Sequence, residues 1–178
     1  MAGQRLTDKT ALEEQTGSGD LFMVVDVNDT TGSAAGTSKK IDSKFVIQTD
    51  KYSLDNAAVK LLSHGDSPLT LVGALSGYMV TPLTINILVT YAASTESSSE
   101  NLNVGYDSSD DNAYWFGFRD FMNSKTTSST FMASAYPPGN GVCTSSILNK
   151  PLVLWSTGAF NGGFSMDVYI TYCYTKVL

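Results

Sequence analysis

Two segments of the chain alternate apolar and polar residues with a period of two. Leu83, Ile85, Ile87, Val89 and Tyr91 fall on one face of an extended segment, with Thr84, Asn86 and Thr90 opposite. Phe164, Met166, Val168, Ile170 and Tyr172 do the same, with Ser165, Asp167 and Thr171 opposite. One apolar face per strand predicts antiparallel sheets packed on one side, and two such sheets face to face make a sandwich. Further strands are predicted at PLTLVGAL (68–75), NLNVGY (101–106), TFMASAY (130–136) and KPLVLWS (150–156). AYWFGFRDFM (113–122) reads as a strand or a short aromatic helix. Spacing is irregular and the connections are long, as in STESSSEN, SKTTSS, YPPGNG and TGAFNGG, which favours a jelly-roll or related Greek-key sandwich over a meander. The strand at 164–175 is too long to leave unpaired, so a central place in its sheet is predicted. The fold class is therefore all-β, a jelly-roll-like antiparallel sandwich, preceded by an N-terminal arm.

The arm, residues 1–50, has a different texture. Thr10 and Glu13 have capping-box spacing around TALEEQ, which predicts a turn or two of helix ended by GSG at 17–19. LFMVVDV (21–27) is an apolar β-branched run of strand length. The polar loop NDTTGSAAGTS (28–38) follows, then KKIDSKFVIQ as a second extended element or helical turn. Residues 51–66 place Leu54, Ala58, Leu61 and Leu62 near helical spacing before an HGD break, and read as a short helix or connector. The sandwich is assigned to 67–178.

Composition narrows the function. Charged residues are 16% of the chain, and Ser, Thr, Gly and Tyr are abundant, which again favours strand over helix. The net charge of −6 and a pI near 4.5 argue against nucleic acid as a partner, because phosphate binding needs a basic face; Lys39-Lys40 is too small a footprint. No apolar run is long enough to span a membrane, and MAGQRLTDKTALEEQ has no apolar segment of secretory type. Cys143 and Cys173 lack metal or redox spacing, so both are expected to be small buried hydrophobes in a protein made in a reducing cytoplasm.

Chemistry is sparse. The single histidine, His64, sits in a polar turn, and nucleotide, esterase and metalloprotease motifs are missing, so no enzymatic activity and no cofactor are expected. Asp107, Ser109 and Asp111 alternate like calcium-loop ligands, but the glycine and late glutamate of such loops are absent, so a solvated loop is the better reading. Glu96 and Glu100 lie in a Ser-rich loop and carry no more weight. The aromatic run Tyr114, Trp115, Phe116, Phe118 and Phe121 could stack sugars; core and intersubunit packing is the simpler reading.

The arm resembles the opening of many tailed-phage structural proteins. In those, a "T-x-L" segment leads to "VDV-[SN]-DTT", a small-residue loop and "GT-x-KKI". The matching pieces are Thr10 to Leu12, Asp20 to Asp26, Asn28 to Thr31 and Gly36 to Ile41; DSKFVIQ stands where that family has an apolar-rich helix. More loosely, Asn149 to Leu154 and Gly163 to Tyr172 are similar to the closing strands of small phage β-domains. The resemblance implies a multimeric virion protein located in the particle. As a decoration, cement or head-fibre protein it would attach to the major capsid protein or another virion protein. The alternative is a tail-associated fibre or receptor-binding protein recognising a host glycan or protein. Docking is expected through Leu21, Phe22, Val24, Val25, Val27, Lys39, Lys40 and Ile41. The chain has nine tyrosines and eight phenylalanines, many on charge-poor segments, so a subunit interface is expected at Tyr114, Trp115, Phe116, Phe118 and Tyr169. The resemblance implies that this assembly is a homotrimer.

Overall fold

The computed structural model describes residues 21–32, 34–42, 45–63, 66–106, 114–134 and 147–177. The helix expected at TALEEQ, the acidic stretch 107–112, His64 and Cys143 lie outside these residues. The chain divides into two compact units, Met1–Val46 and Ile47–Leu178.

Among the described residues, the first unit contains one antiparallel hairpin, β1 (Leu21–Asp26) with β2 (Thr37–Asp42). The second contains β3 (Gln48–Leu54), α1 (Asn56–Lys60), β4 (Leu69–Val72), β5 (Tyr78–Tyr91), β6 (Leu102–Gly105), β7 (Tyr114–Phe118), β8 (Ser129–Ser134), β9 (Leu152–Ser156) and β10 (Phe164–Lys176). One sheet has the order β3-β10-β5-β8 and the other β4-β9-β6-β7, all antiparallel. The pairs β3·β10, β4·β9, β5·β8 and β6·β7 nest inside one another along the chain. This is a long antiparallel ribbon rolled into two sheets, which is a jelly roll. The expected all-β class is therefore observed, and β10 is central, between β3 and β5.

The alternation explains the core. Phe164, Met166, Val168, Ile170 and Tyr172 all point inward from β10, and Ile85, Ile87 and Val89 do so from β5. Leu83 leaves the expected face. Thr171 pairs with Thr84 but Tyr172 pairs with Pro82, so Leu83 is the extra residue of a β-bulge. The bulge shifts the phase, and Val80 and Pro82 become the inward residues before it. Among the described residues, Pro82 lies beyond the stretch paired to β8.

The opposite sheet contributes Leu71, Val72, Leu102, Val104, Phe116, Leu152 and Leu154, all buried. Phe121 forms an aromatic knot with Phe131 at 4.6 Å, Phe160 at 5.8 Å and Phe164 at 6.1 Å between ring centroids. Tyrosine hydroxyls stitch the sheets together. Tyr52 on β3 donates to the Leu71 carbonyl on β4, and Tyr106, just past β6, donates to that of Val80 on β5.

Two boundaries differ from expectation. Residues 48–54 are not the end of an arm or part of a connector; they form the edge strand β3, paired with β10 from Gln48↔Tyr172 to Leu54↔Met166. Its sequence, QTDKYSL, is polar because one face is solvent-exposed, which hides the strand from an apolar search. Asp55 then caps α1 by accepting from the Ala58 N–H at 2.8 Å, and Val59 and Leu62 close over the core. Of the 113–122 segment, Tyr114–Phe118 is a strand, followed by a turn with positive φ at Asp120 and Met122.

Candidate functional site: the N-terminal hairpin

The β-branched run of β1 favours extended backbone, and β2 completes a ladder from Leu21↔Asp42 to Asp26↔Thr37. Residues directly opposite share a face. Phe22, Val24 and Ile41 therefore lie on one face with Lys39, and Met23 and Val25 on the other with Lys40 and Ser38. Phe22, Met23, Val24 and Val25 are all exposed, Met23 at 72%, and Val27 just past the strand is 68% exposed. Phe22, Met23, Ser38, Lys39 and Lys40 line a shallow groove of about 320 Å³. An isolated two-stranded ribbon is marginally stable, and this one leaves apolar side chains open on both faces.

The loop is built from polar side chains. The Asp29 carboxylate accepts from Thr31 N at 3.0 Å and Thr31 Oγ1 at 2.6 Å. Thr37 Oγ1 accepts from Gly32 N at 2.9 Å. Lys39 Nζ reaches Asp26 at 3.1 Å and Asp29 at 2.8 Å. The bond from Lys39, then those from Thr31, hold the Asp29 carboxyl down to about 2. Gly36 has φ +111°, and an added Cβ would stand 2.7 Å from the Asp26 carbonyl oxygen. Lys39, expected as a docking charge, is thus the internal clamp of the hairpin, while Lys40 is exposed and in no ion pair among the described residues. The side chain of Leu21 lies outside the described residues.

Of the residues expected at a subunit interface, the side chains of Phe116, Phe118 and Tyr169 are described. Phe116 is 2% exposed in the sandwich core, because its β7 face is the inward one, so it is not available to a second subunit. Phe118 is half-buried against Phe121 and Phe131. Tyr169 is on the outer face of β10, half-buried beside Lys51, whose Nζ lies 5.5 Å from the ring centroid. The side chains of Tyr114 and Trp115 are outside the described residues. Cys173 is a free thiol, half-exposed rather than buried, since it lies on the outward register of β10.

Asp167 and Glu96 serve the structure. Asp167 accepts from Ser53 Oγ at 2.6 Å and pairs with Lys51 at 2.9 Å, and these two contacts lower its pKa. Glu96 is 1% exposed. Its Oε2 accepts from Asn161 N at 2.8 Å and Gly162 N at 2.7 Å, and its Oε1 from Ser98 N at 2.7 Å and Ser98 Oγ. Its backbone oxygen takes the Ser124 N–H at 2.8 Å, so one residue ties the β5–β6, β7–β8 and β9–β10 loops together. The sequence pattern assigns Glu96 no role, and a glutamate in a serine-rich loop carries no signal that would have found it. A depression lined by Ser53, Asp55, Thr90, Ser165 and Asp167 opens on the outer face nearby, with Asp55 and Asp167 already committed as above. Among the described residues, no three His, Cys, Asp or Glu side chains are placed to share a metal ion, and no helix is long and apolar enough to cross a membrane.

No protein-family model matches the chain, and a search of curated proteins finds no significant match.

Proposed function

We propose that the chain is a non-enzymatic structural protein of a tailed-phage particle. It is a jelly-roll module carried on the capsid surface as a decoration, cement or head-fibre protein, and it is attached by the N-terminal hairpin. The observation that carries this reading is the hairpin itself. Phe22, Val24, Met23 and Val25 are open to solvent on two faces of a ribbon too small to bury them alone. Burying such side chains against a partner supplies roughly 25 cal/mol for each Å² of apolar surface removed from water. Lys40 beside Met23 adds a charge that a carboxylate on the receiving surface would match. The resemblance of residues 10–41 to phage virion openings supplies the identity of that surface. The non-enzymatic part rests on the carboxylates, since Asp167 and Glu96 are engaged in structural contacts.

The test removes residues 1–46. The remaining 47–178 is expected to keep the β-type circular dichroism of the full chain and to be lost from purified particles. Normal incorporation of the truncated chain would place docking elsewhere. Densitometry of intact particles separates the two virion positions: hundreds of copies fit the capsid surface, and a few to a few dozen fit a tail-associated receptor-binding protein.

A further inference from the structure

The two edges of the β3-β10-β5-β8 sheet are built differently. β3 carries Asp50 and Lys51, and Lys51 is tied to Asp167 on β10. β8 reads STFMAS and has no charge, and the neighbouring β5 has none along its whole length. Charged side chains and covering groups are how sheets keep their open edges from pairing. In the other sheet, the edge strand β4 is short, and tyrosine hydroxyls take the carbonyl of Leu71 and, at 2.8 Å, that of Gly73 just past it. Among the described residues, β8 has backbone pairing on its β5 side alone. Its outward side chains are Thr130, Met132 and Ser134, and Met132 is 76% exposed. Next to it on β5, Leu88 is 43% exposed, and Asn86 and Thr84 complete a charge-free strip.

We propose that the β8 edge pairs with β8 of a second copy of this chain. The strands run antiparallel about a two-fold axis that lies between the two copies' Met132 residues, perpendicular to the sheet, joining two four-stranded sheets into one. An axis in that direction keeps outward residues outward in both copies. Centred on Met132, the register sets Met132 against Met132 and Thr130 against the second copy's Ser134 on the solvent face. On the inner face it sets Phe131 against the second copy's Ala133, large against small. The strip that meets itself is uncharged, so two chains of net charge −6 approach where they do not repel locally. The β3 edge, with its acidic and basic side chains, offers no such self-match. The geometry is two-fold, in place of the threefold closure that the phage resemblance implies, and it is separate from docking by the hairpin.

The experiment is sedimentation of the full chain from about 5 μM to about 500 μM, because a ladder this short buries less than a standard interface and binds weakly. The mass is expected to rise from 19.1 kDa toward twice that value. Met132→Lys places like charges across the axis and is expected to weaken association at least tenfold, with circular dichroism unchanged because Met132 is exposed; Thr175→Lys, exposed on β10, is the control expected to leave it intact. In a Cys143→Ser, Cys173→Ser background, Met132→Cys is expected to form a disulfide-linked dimer on mild oxidation, since facing antiparallel residues fall within disulfide range. A monomer at every concentration, a trimeric mass, a dimer indifferent to Met132→Lys, or no disulfide from Met132→Cys would each overturn the proposal.

Discussion

Glu96→Gln is the substitution with the most to lose for the least change in shape. Both carboxylate oxygens are in use, with two donors on each. Glutamine keeps one oxygen and replaces the other with an amide that can only donate. With its oxygen kept on the Asn161 and Gly162 N–H groups, its amide faces Ser98, whose hydroxyl can turn to accept but whose backbone N–H cannot, in a site 1% exposed. Hydrogen bonds to a charged group contribute roughly 1.5–3 kcal/mol each, and one is lost outright, so a cost of roughly 1.5–3 kcal/mol is expected. For a chain of this size that lowers Tm by roughly 3–12 °C. The pH dependence has a definite sign. Burial alone pushes the Glu96 carboxyl up, but the bonds from Ser98, Gly162 and Asn161 outweigh it and hold the group below its ordinary 4.5. A carboxyl depressed by folding stabilises fully above its unfolded value, and that contribution fades as pH falls through the folded value. Wild type and Glu96→Gln should therefore differ most at pH 7 and converge in acid. Urea unfolding of both proteins at about pH 7 and about pH 3 measures this. A gap under about 1 kcal/mol at neutral pH, or one that does not narrow in acid, would refute the account of Glu96 as the carboxylate that ties three loops.

Two further expectations follow from single contacts. Tyr106→Phe removes the donor to the Val80 carbonyl from a site 2% exposed and should cost about 1–2 kcal/mol, whereas Tyr174→Phe breaks an exposed bond to Gly73 that water can replace and should cost under about 0.5 kcal/mol; equal costs in urea unfolding would contradict this distinction. Gly36→Ala should open the hairpin, because a Cβ there meets the Asp26 carbonyl at a backbone conformation L residues rarely adopt; unchanged hydrogen-exchange protection across residues 21–42 would show that the turn tolerates it.

The parts of this fold legible in the sequence are those where one face is apolar and its period is unbroken. β10 alternates without interruption over Phe164 to Tyr172, and each predicted inward residue is buried. In β5 the same rule holds from Ile85 to Val89 and fails at Leu83, because a bulge adds a residue that composition does not announce. β3 reads as arm and connector because its cross-strand contacts are polar: Thr49 with Thr171 at 2.9 Å, Ser53 with Asp167, Lys51 with Asp167. Such a strand owes its place to β10, not to its own pattern. β1 is legible for the opposite reason. In LFMVVDV, Phe22, Met23, Val24, Val25 and Val27 stay exposed, and that apolar run is a property of the seven residues themselves. Phe116 shows the limit of that logic. An aromatic residue on a charge-poor segment is equally consistent with an interface and with a core, and which one it joins depends on strand phase, a property of pairing with β6 that the local sequence does not encode. The β8 edge is hidden by the same dependence. STFMAS looks like an ordinary strand, and its significance arises because β5 lies on one side of it and nothing charged on either strand guards the other.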